Sequence, residues 1–299
     1  MIQGTVPQMN GVFKVRGKVL LSGCPVFGGY TVIDVLRYAD RTVPLISIDY
    51  PVIKALMGFK GLDLHYLVVV GRQEEVPGVL TGYNVMTFLY KIASTNPEKL
   101  WAALYKTSVY DVDWLTLQAE TTMSVEDLVT KMLMKRWGFA SVRIEERFYL
   151  VSILDVIRFL VSSGAFERTS HRLLDIATRG VLSVGMDSTL FELLEVMVRK
   201  RIRRVVLEEE DCVVTDRGVL QYIISDQALE TLRDSPKKLL ATPLDALTPY
   251  AGKPVILGED APLSIAFKKL VEKEPYTVLT QDRKHILTPW DTTKLLKVS

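Results

Sequence analysis

Cysteine and histidine are scarce in this chain of 299 residues. Its two cysteines, Cys24 and Cys212, lie far apart and in no CxxC pair, and there are only three histidines. The cysteines exclude a disulfide framework and a zinc site readable from sequence, and they fit a reducing cytoplasm. HExxH, GxSxG, Walker A and a post-strand GxGxxG are also absent, so the sequence predicts neither an enzyme nor a metal centre.

Long uncharged apolar runs and a strong net charge are missing too. The most apolar run, residues 148–166, carries Asp155 and Arg158 mid-run, so no membrane span is expected. A net charge of +2 argues against a polyanion binder as a whole. Five cations do cluster in residues 199–204, but acids at 208–211 follow them, so a broad nucleic-acid surface is not expected.

What the chain does contain is a fourfold repeat. Each time, an apolar opening strand is followed 33 to 37 residues later by a closing strand, a Ser or Thr, and a helix. A βαββα unit of this size cannot bury both faces of its sheet alone, so neighbouring units should pair. The opening strands are predicted at Pro44, Trp114, Val181 and Pro254, the first helix caps at Asp49, Ser124, Asp187 and Asp260, and the closing hydroxyls are Thr81, Ser152, Thr215 and Thr288.

This pattern resembles the CBS (cystathionine-β-synthase) domain from about residue 30 to residue 297. The resemblance implies an α+β fold of four βαββα CBS repeats paired into two Bateman modules, a layout similar to the gamma subunit of AMP-activated protein kinase. A linker is expected at residues 162–172. The first pair is predicted over 1–165, with an N-terminal extension 1–30 and repeats 31–92 and 98–163, and the second over 166–299, with repeats 172–234 and 243–297.

The resemblance also implies where a ligand would bind. In CBS domains that bind adenosine compounds, the closing segment reads Ser/Thr-x-x-Asp. The acid accepts hydrogen bonds from the ribose hydroxyls, and the Ser or Thr and the helix N–H groups face the phosphate. Ser152 with Asp155 and Thr288 with Asp291 match this motif. The same spacing is a capping box, so a purely structural role stays open.

The other two repeats depart from the motif. Repeat one has Thr81 with Asn84, which could still accept one ribose bond, and repeat three has Thr215 but Gly218 in place of the acid. Repeat three would therefore hold no nucleotide of its own.

By the gamma-subunit pattern, repeat three would instead lend cations to phosphates bound at its neighbours. The candidates are Arg203 and Arg204, at the start of its middle strand, and Arg217, two residues after Thr215. Arginine suits phosphate because its guanidinium presents a fixed fork of donors. The alternative, that these side chains are simply solvated, stays open.

Three further residues have positions that the family uses. His65 stands at the matching place in repeat one and could meet a phosphate, although a structural role is the commoner one. Trp114 and Pro254 lie at the opening strands of repeats two and four, where the family holds the adenine edge. A core role for Trp114 is the alternative.

The expected function is a non-catalytic regulatory sensor. AMP, ADP or ATP would bind in clefts between repeats and signal to an unidentified partner protein, without a cofactor. S-adenosylmethionine or another adenosyl ligand, a nucleic-acid-associated regulator using residues 199–204, and an assembly scaffold with vestigial pockets are the alternatives. CBS pairs commonly stack into disks, so both a homodimer and an internal disk within one chain stay open.

Overall fold

Four repeats with the same secondary structure follow each other along the chain. The computed structural model describes residues 25–39, 44–62, 66–71, 78–145 and 147–297, and the backbone of 13–15 and 18–20. In each unit the opening and middle strands are parallel and the closing strand is antiparallel to the middle one. A helix makes the crossover that a parallel pair requires. The predicted α+β fold of βαββα repeats is confirmed.

Repeats one and two occupy the first half of the chain, preceded by a hairpin and a short helix. Their elements are β1 (Phe13–Val15), β2 (Lys18–Leu20), α1 (Val32–Val35), β3 (Leu45–Ser47), α2 (Val52–Leu62), β4 (Tyr66–Val70), β5 (Gly78–Thr81), α3 (Gly82–Thr95), α4 (Leu100–Lys106), β6 (Gln118–Ala119), α5 (Val125–Lys135), β7 (Phe139–Ile144), β8 (Arg147–Ser152) and α6 (Ile153–Ser162).

Repeats three and four occupy the second half, with two extra helices between them. Their elements are α7 (Leu173–Ile176), β9 (Thr178–Arg179), β10 (Ser183–Val184), α8 (Leu190–Lys200), β11 (Arg204–Leu207), β12 (Cys212–Thr215), α9 (Asp216–Ile223), α10 (Asp226–Asp234), α11 (Pro236–Leu240), β13 (Val255–Leu257), α12 (Leu263–Glu272), β14 (Val278–Thr280) and β15 (His285–Leu287). The final segment, Pro289–Lys297, is a 3-10 helix where an α-helix was predicted.

Predicted element starts were wrong in repeats two, three and four. In repeat four, the N-cap residue of α12 is Pro262 rather than Asp260. The opening strand of repeat two is β6, which begins four residues after Trp114. The residues before it are drawn to the neighbouring repeat, because Val79 of β5 donates its N–H to the carbonyl of Leu115 at 3.2 Å. Helix α8 is capped by Thr189 rather than by Asp187, since Thr189 and Glu192 form a reciprocal capping box.

The segment that leads into each repeat packs on the other repeat of its pair. Each lead forms a β-bridge at the start of the partner's crossover helix. The leads of repeats one and two are thus exchanged, and so are those of repeats three and four. The bridges are Thr31 with Ser124, Pro51 with Ser108, Arg172 with Pro262, and Thr189 with Pro243.

The hydrophobic core has two large clusters that cross the pairs. One contains the helices of repeats one and three, and the other contains those of repeats two and four together with buried residues of the lead segment, such as Phe27. A smaller cluster of Val206, Val213 and Leu279 joins the sheets of repeats three and four. Sheets therefore meet within a pair, and helices meet between pairs.

The predicted linker is a packed part of the core. Phe166 is 2% exposed, and its ring stacks on Phe267 of α12 with centroids 4.2 Å apart. Burial of two phenylalanine rings in this contact fixes the connection between the halves. In the part of the chain that is described, none of the helices has the length and apolar character needed to cross a bilayer.

Candidate functional site

The closing hydroxyls sit where a strand turns into a helix. Thr81, Ser152 and Thr215 are the N-cap residues of α3, α6 and α9, and each accepts a hydrogen bond from the N–H three residues on. Thr288 lies at the same junction between β15 and the last 3-10 helix. The fourfold register predicted from sequence therefore holds at this level.

The side chain three residues after each closing hydroxyl accepts hydrogen bonds from the cap residue in three of the repeats. In repeat two, Asp155 Oδ2 accepts from Ser152 N at 2.8 Å and from Ser152 Oγ at 2.5 Å. In repeat four, Asp291 Oδ2 accepts from Thr288 N at 2.7 Å. Asn84 plays the same part in repeat one. The capping interpretation is thus correct for all three. Asp155 and Asp291 each use Oδ2 in the cap and keep Oδ1 outside the capping box.

These caps surround one central cavity of about 1680 Å³. All four repeats contribute to its wall, which is therefore shared by both halves of the chain. Of the residues predicted from sequence, the wall contains Asn84, Trp114, Ser152, Asp155, Arg203, Arg204, Thr215, Arg217, Thr288 and Asp291.

Two predicted residues that the structure describes are not in this wall, and a third lies outside the described part of the chain. Thr81 is fully buried behind it, and Pro254 stands half-buried just before β13. His65 lies outside the described residues, so its predicted phosphate role stays a prediction.

Arg203 links repeat three to repeat one. Its Nε lies 3.1 Å from Asp216 Oδ2, and its Nη2 donates to Thr81 Oγ1 at 3.0 Å. The guanidinium also lies over the Tyr83 ring, 5.3 Å from its centroid. Burial raises the pKa of the Tyr83 hydroxyl, and the positive charge of Arg203 opposes that rise.

Arg204 is a half-buried cation in the same wall. Its Nε donates to the carbonyl of Pro275 at 3.2 Å. Burial lowers the pKa of Arg204 to about 10, while Asp216, Asp291 and Glu274 favour its charged form. A pKa near 10 leaves the guanidinium charged at neutral pH, so the cavity holds a fixed cation.

Arg158 is a cavity residue that the motif search missed. It lies one turn after Asp155 on α6, with Nη1 3.4 Å from Asp155 Oδ1. Its Nη2 donates to Tyr276 Oη at 3.1 Å, across to repeat four. Residues three apart share a helix face, so the spacing from Asp155 was the signal that could have found it.

Asp291 is held more fully by the protein than a simple cap requires. Its Oδ1 accepts from Thr178 Oγ1 at 2.7 Å and also lies 2.7 Å from Lys294 Nζ. Both oxygens are therefore engaged, and a ribose would have to replace Thr178 or Lys294.

The charge and shape of the wall suit an anion carrying an aromatic ring. Eight basic side chains and five acidic ones line the cavity, together with aromatic rings from several repeats. The Trp114 ring packs flat against Gly78, where any Cβ would collide with it. Among the residues that the structure describes, no group of three His, Cys, Asp or Glu side chains is arranged to hold a metal ion.

The cationic run at residues 199–204 does not form one surface. Arg199 Nε donates to Tyr90 Oη at 3.0 Å, and its Nη2 pairs with Glu195 at 2.9 Å. Arg203 and Arg204 face the cavity instead. The run is therefore divided between an interface of two repeats and the central site.

Comparison with known proteins agrees with this architecture. The family model of the CBS domain matches residues 173–225, which cover most of repeat three. The matched segment is one of four units with the same βαββα build, and this agrees with the resemblance to the CBS domain that the sequence pattern predicted.

Two individual proteins are similar to the chain. Protein MJ1225 of Methanocaldococcus jannaschii, described as a proposed archaeal homologue of the AMPK gamma subunit, matches with a TM-score of 0.72 and 19% identity, over 87% of this chain and 98% of that one. At that identity the match shows the fold. A 33.4 kDa protein from a ribosomal RNA operon of Thermofilum pendens is 27% identical over 165 residues, 54% of this chain. The chain spans 53% of the length of that relative.

Proposed function

We propose that this protein is a non-catalytic regulatory sensor that binds an adenine nucleotide, AMP, ADP or ATP, in the central cavity. The observation that carries the proposal is the joint placement of two buried carboxylates, Asp155 and Asp291, in one wall with arginines from other repeats. Ribose hydroxyls donate to carboxylates, and phosphates accept from guanidinium groups, so both ends of a nucleotide find complementary chemistry.

The description of the Methanocaldococcus jannaschii protein supports the same function. It is described as a proposed archaeal homologue of the AMPK gamma subunit. The exchanged lead segments likewise support our division into modules at residues 1–165 and 166–299. The boundary itself stays a prediction.

The output of such a sensor would pass through a partner protein. All four repeats line the cavity, so a ligand held between residues of the two modules would favour one arrangement of the modules over others. A ligand shifts such an equilibrium only by its different affinity for the two arrangements. A partner that reads the relative position of the modules would then respond to nucleotide.

Titration with a fluorescent adenine nucleotide tests the proposal. The variant Asp155→Ala with Asp291→Ala removes both ribose acceptors, and we expect affinity to fall about 100-fold or more, because each site loses charge-assisted hydrogen bonds. The difficulty is that both acids also cap helices.

A matched control separates the two effects. Asp127 and Glu192 occupy the same capping position in α5 and α8, but they are exposed and lie outside the cavity wall. Asp127→Ala with Glu192→Ala should weaken two helix starts, by about 0.3–1 kcal/mol each, and keep nucleotide affinity. Equal affinities in wild type and the Asp155/Asp291 variant would refute the site.

A further inference from the structure

Three consecutive residues of repeat four are held by arginines of other repeats. This 274–276 segment, Glu274-Pro275-Tyr276, lies between α12 and β14. Arg217 forms an ion pair with Glu274, Arg204 donates to the Pro275 carbonyl at 3.2 Å, and Arg158 donates to Tyr276 Oη at 3.1 Å. Each contact ends on an oxygen, so the segment supplies the kind of acceptors that a phosphate would offer.

The three contacts differ in how easily they can be exchanged. Pro275 is buried and its carbonyl is fixed by the backbone. The Glu274 side chain is 43% exposed, whereas that of Arg217 is 24% exposed. The ion pair therefore lies at the cavity edge, where the carboxylate can turn into water while the guanidinium stays in the wall.

Glu274 also differs from the other acids beside these arginines. Asp155 and Asp291 accept hydrogen bonds from the backbone at a helix start, and Asp216 is buried against Arg203. Glu274 lies in a loop, and its side chain has one more rotatable bond than an aspartate side chain. Its negative charge also favours the charged form of Arg204. An incoming anion can therefore replace the Glu274 carboxylate with the least disturbance of the structure.

We propose that Glu274 is a specificity-determining residue: an internal counter-ion of Arg217 that the phosphate of a ligand must displace. The identity of that ligand as a nucleotide rests on the proposed function. The displacement favours ligands with several phosphate charges, because a polyphosphate regains more than the one ion pair that is lost. An uncharged nucleoside gains nothing from the exchange.

The test compares Glu274→Gln with wild type by isothermal titration calorimetry, using ATP, inorganic tripolyphosphate and adenosine as probes. Glutamine keeps the shape of the side chain and removes its charge. We expect ATP and tripolyphosphate to bind about two- to fivefold more tightly to Glu274→Gln, the range set by a partly exposed ion pair, and adenosine affinity to be unchanged.

Glu272→Gln is the matched control. Glu272 is exposed two residues earlier, pairs with Lys269 at 3.0 Å outside the cavity wall, and carries the same charge. Its loss should leave all three affinities unchanged. An equal gain in Glu272→Gln would mean that overall charge is responsible, which overturns the proposal.

The remaining outcomes separate this inference from the proposed function. Tighter tripolyphosphate binding to Glu274→Gln, with no binding of AMP, ADP or ATP to the wild type in the fluorescence titration, would support Glu274 as the counter-ion and refute the nucleotide sensor. If nucleotide binds and Glu274→Gln does not change its affinity, the role of Glu274 is refuted and the proposed function is not. If neither protein binds tripolyphosphate, AMP, ADP or ATP, both proposals fail.

Discussion

At the scale of the residue, Arg203 joins two repeats through a single guanidinium. It pairs with Asp216 in its own repeat and donates to Thr81 in repeat one. The Asp216 side chain is only 12% exposed, whereas that of Arg203 is 33% exposed. Removal of Arg203 would leave a nearly buried carboxylate without its main counter-ion, so the larger effect comes from the partner that remains.

A double-mutant cycle measures this coupling. Arg203→Met should lower the free energy of unfolding by about 1–3 kcal/mol, a value discounted for the partial exposure of Arg203. Asp216→Asn should lower the free energy of unfolding by less. The loss in the double variant should be smaller than the sum of the two single losses by at least about 0.5 kcal/mol. Urea denaturation gives all three values. Arg201→Met is the control for loss of charge, and strictly additive effects would contradict the coupling.

Single residues of the site were predictable where a motif repeats. The register of the closing segments located Ser152, Asp155 and Asp291 in the cavity wall, because the strand-to-helix junction is a local feature. Glu274 and Tyr276 were not predictable. They reach the arginines only through the packing of repeat four on repeats two and three, and no local pattern in the sequence encodes that contact.

At the scale of the element, the crossover helices α5 and α8 end in the same unusual way. Their C-cap residues, Arg136 and Arg201, have left-handed backbones with φ of 54° and 55°. Glycine is the usual residue there, since a Cβ is strained in this conformation. Both arginines line the cavity. We infer that these two arginines lower the stability of the protein and in return place positive charge at the site.

Arg136→Gly tests this interpretation. The change relieves the left-handed strain, and we expect the free energy of unfolding to rise by about 0.5–1 kcal/mol while nucleotide affinity falls. Lys135→Gly removes the same charge one residue earlier, inside α5, and should instead destabilise by about 1 kcal/mol. Thermal or urea unfolding distinguishes the two signs, and a stabilised Lys135→Gly would show that charge alone is responsible.

Elements were predicted well where hydrophobic periodicity is strong. They were predicted poorly where contacts with the neighbouring repeat determine the backbone pairing. The buried face of α8, with Leu193 and Met197, follows the 3.6-residue pattern. The opening strand of repeat two shrank to the two residues of β6, because Leu115 pairs with β5 of repeat one instead. Such tertiary competition for backbone groups has no signature within the segment itself.

At the scale of the whole molecule, the fourfold repeat predicted pairing but not the exchange of lead segments. The exchange ties each repeat to its partner by backbone hydrogen bonds, such as Leu173 N to the carbonyl of Ala261 at 2.9 Å. The helices then pack between the pairs, with α3 against α8 and α9, and α6 against α12. The chain therefore contains an internal two-module assembly, and a homodimer of whole chains stays a prediction.

This arrangement predicts the behaviour of the second module alone. Residues 166–299 would keep their exchanged leads but expose the apolar helix faces that contact the first module, including Leu220, which lies against Gly82 with its Cδ2 3.0 Å from the Cβ position of that glycine. Exposed apolar faces of this size drive association, and the pseudo-symmetry of the modules lets one copy take the place of the missing half. We expect a dimer by light scattering after size-exclusion chromatography. Leu220→Glu in the same fragment should keep it monomeric, because a carboxylate would be buried at the new interface. A fragment that is monomeric without that substitution, and unfolds cooperatively, would show that contacts within each pair suffice and that the helices between pairs contribute little.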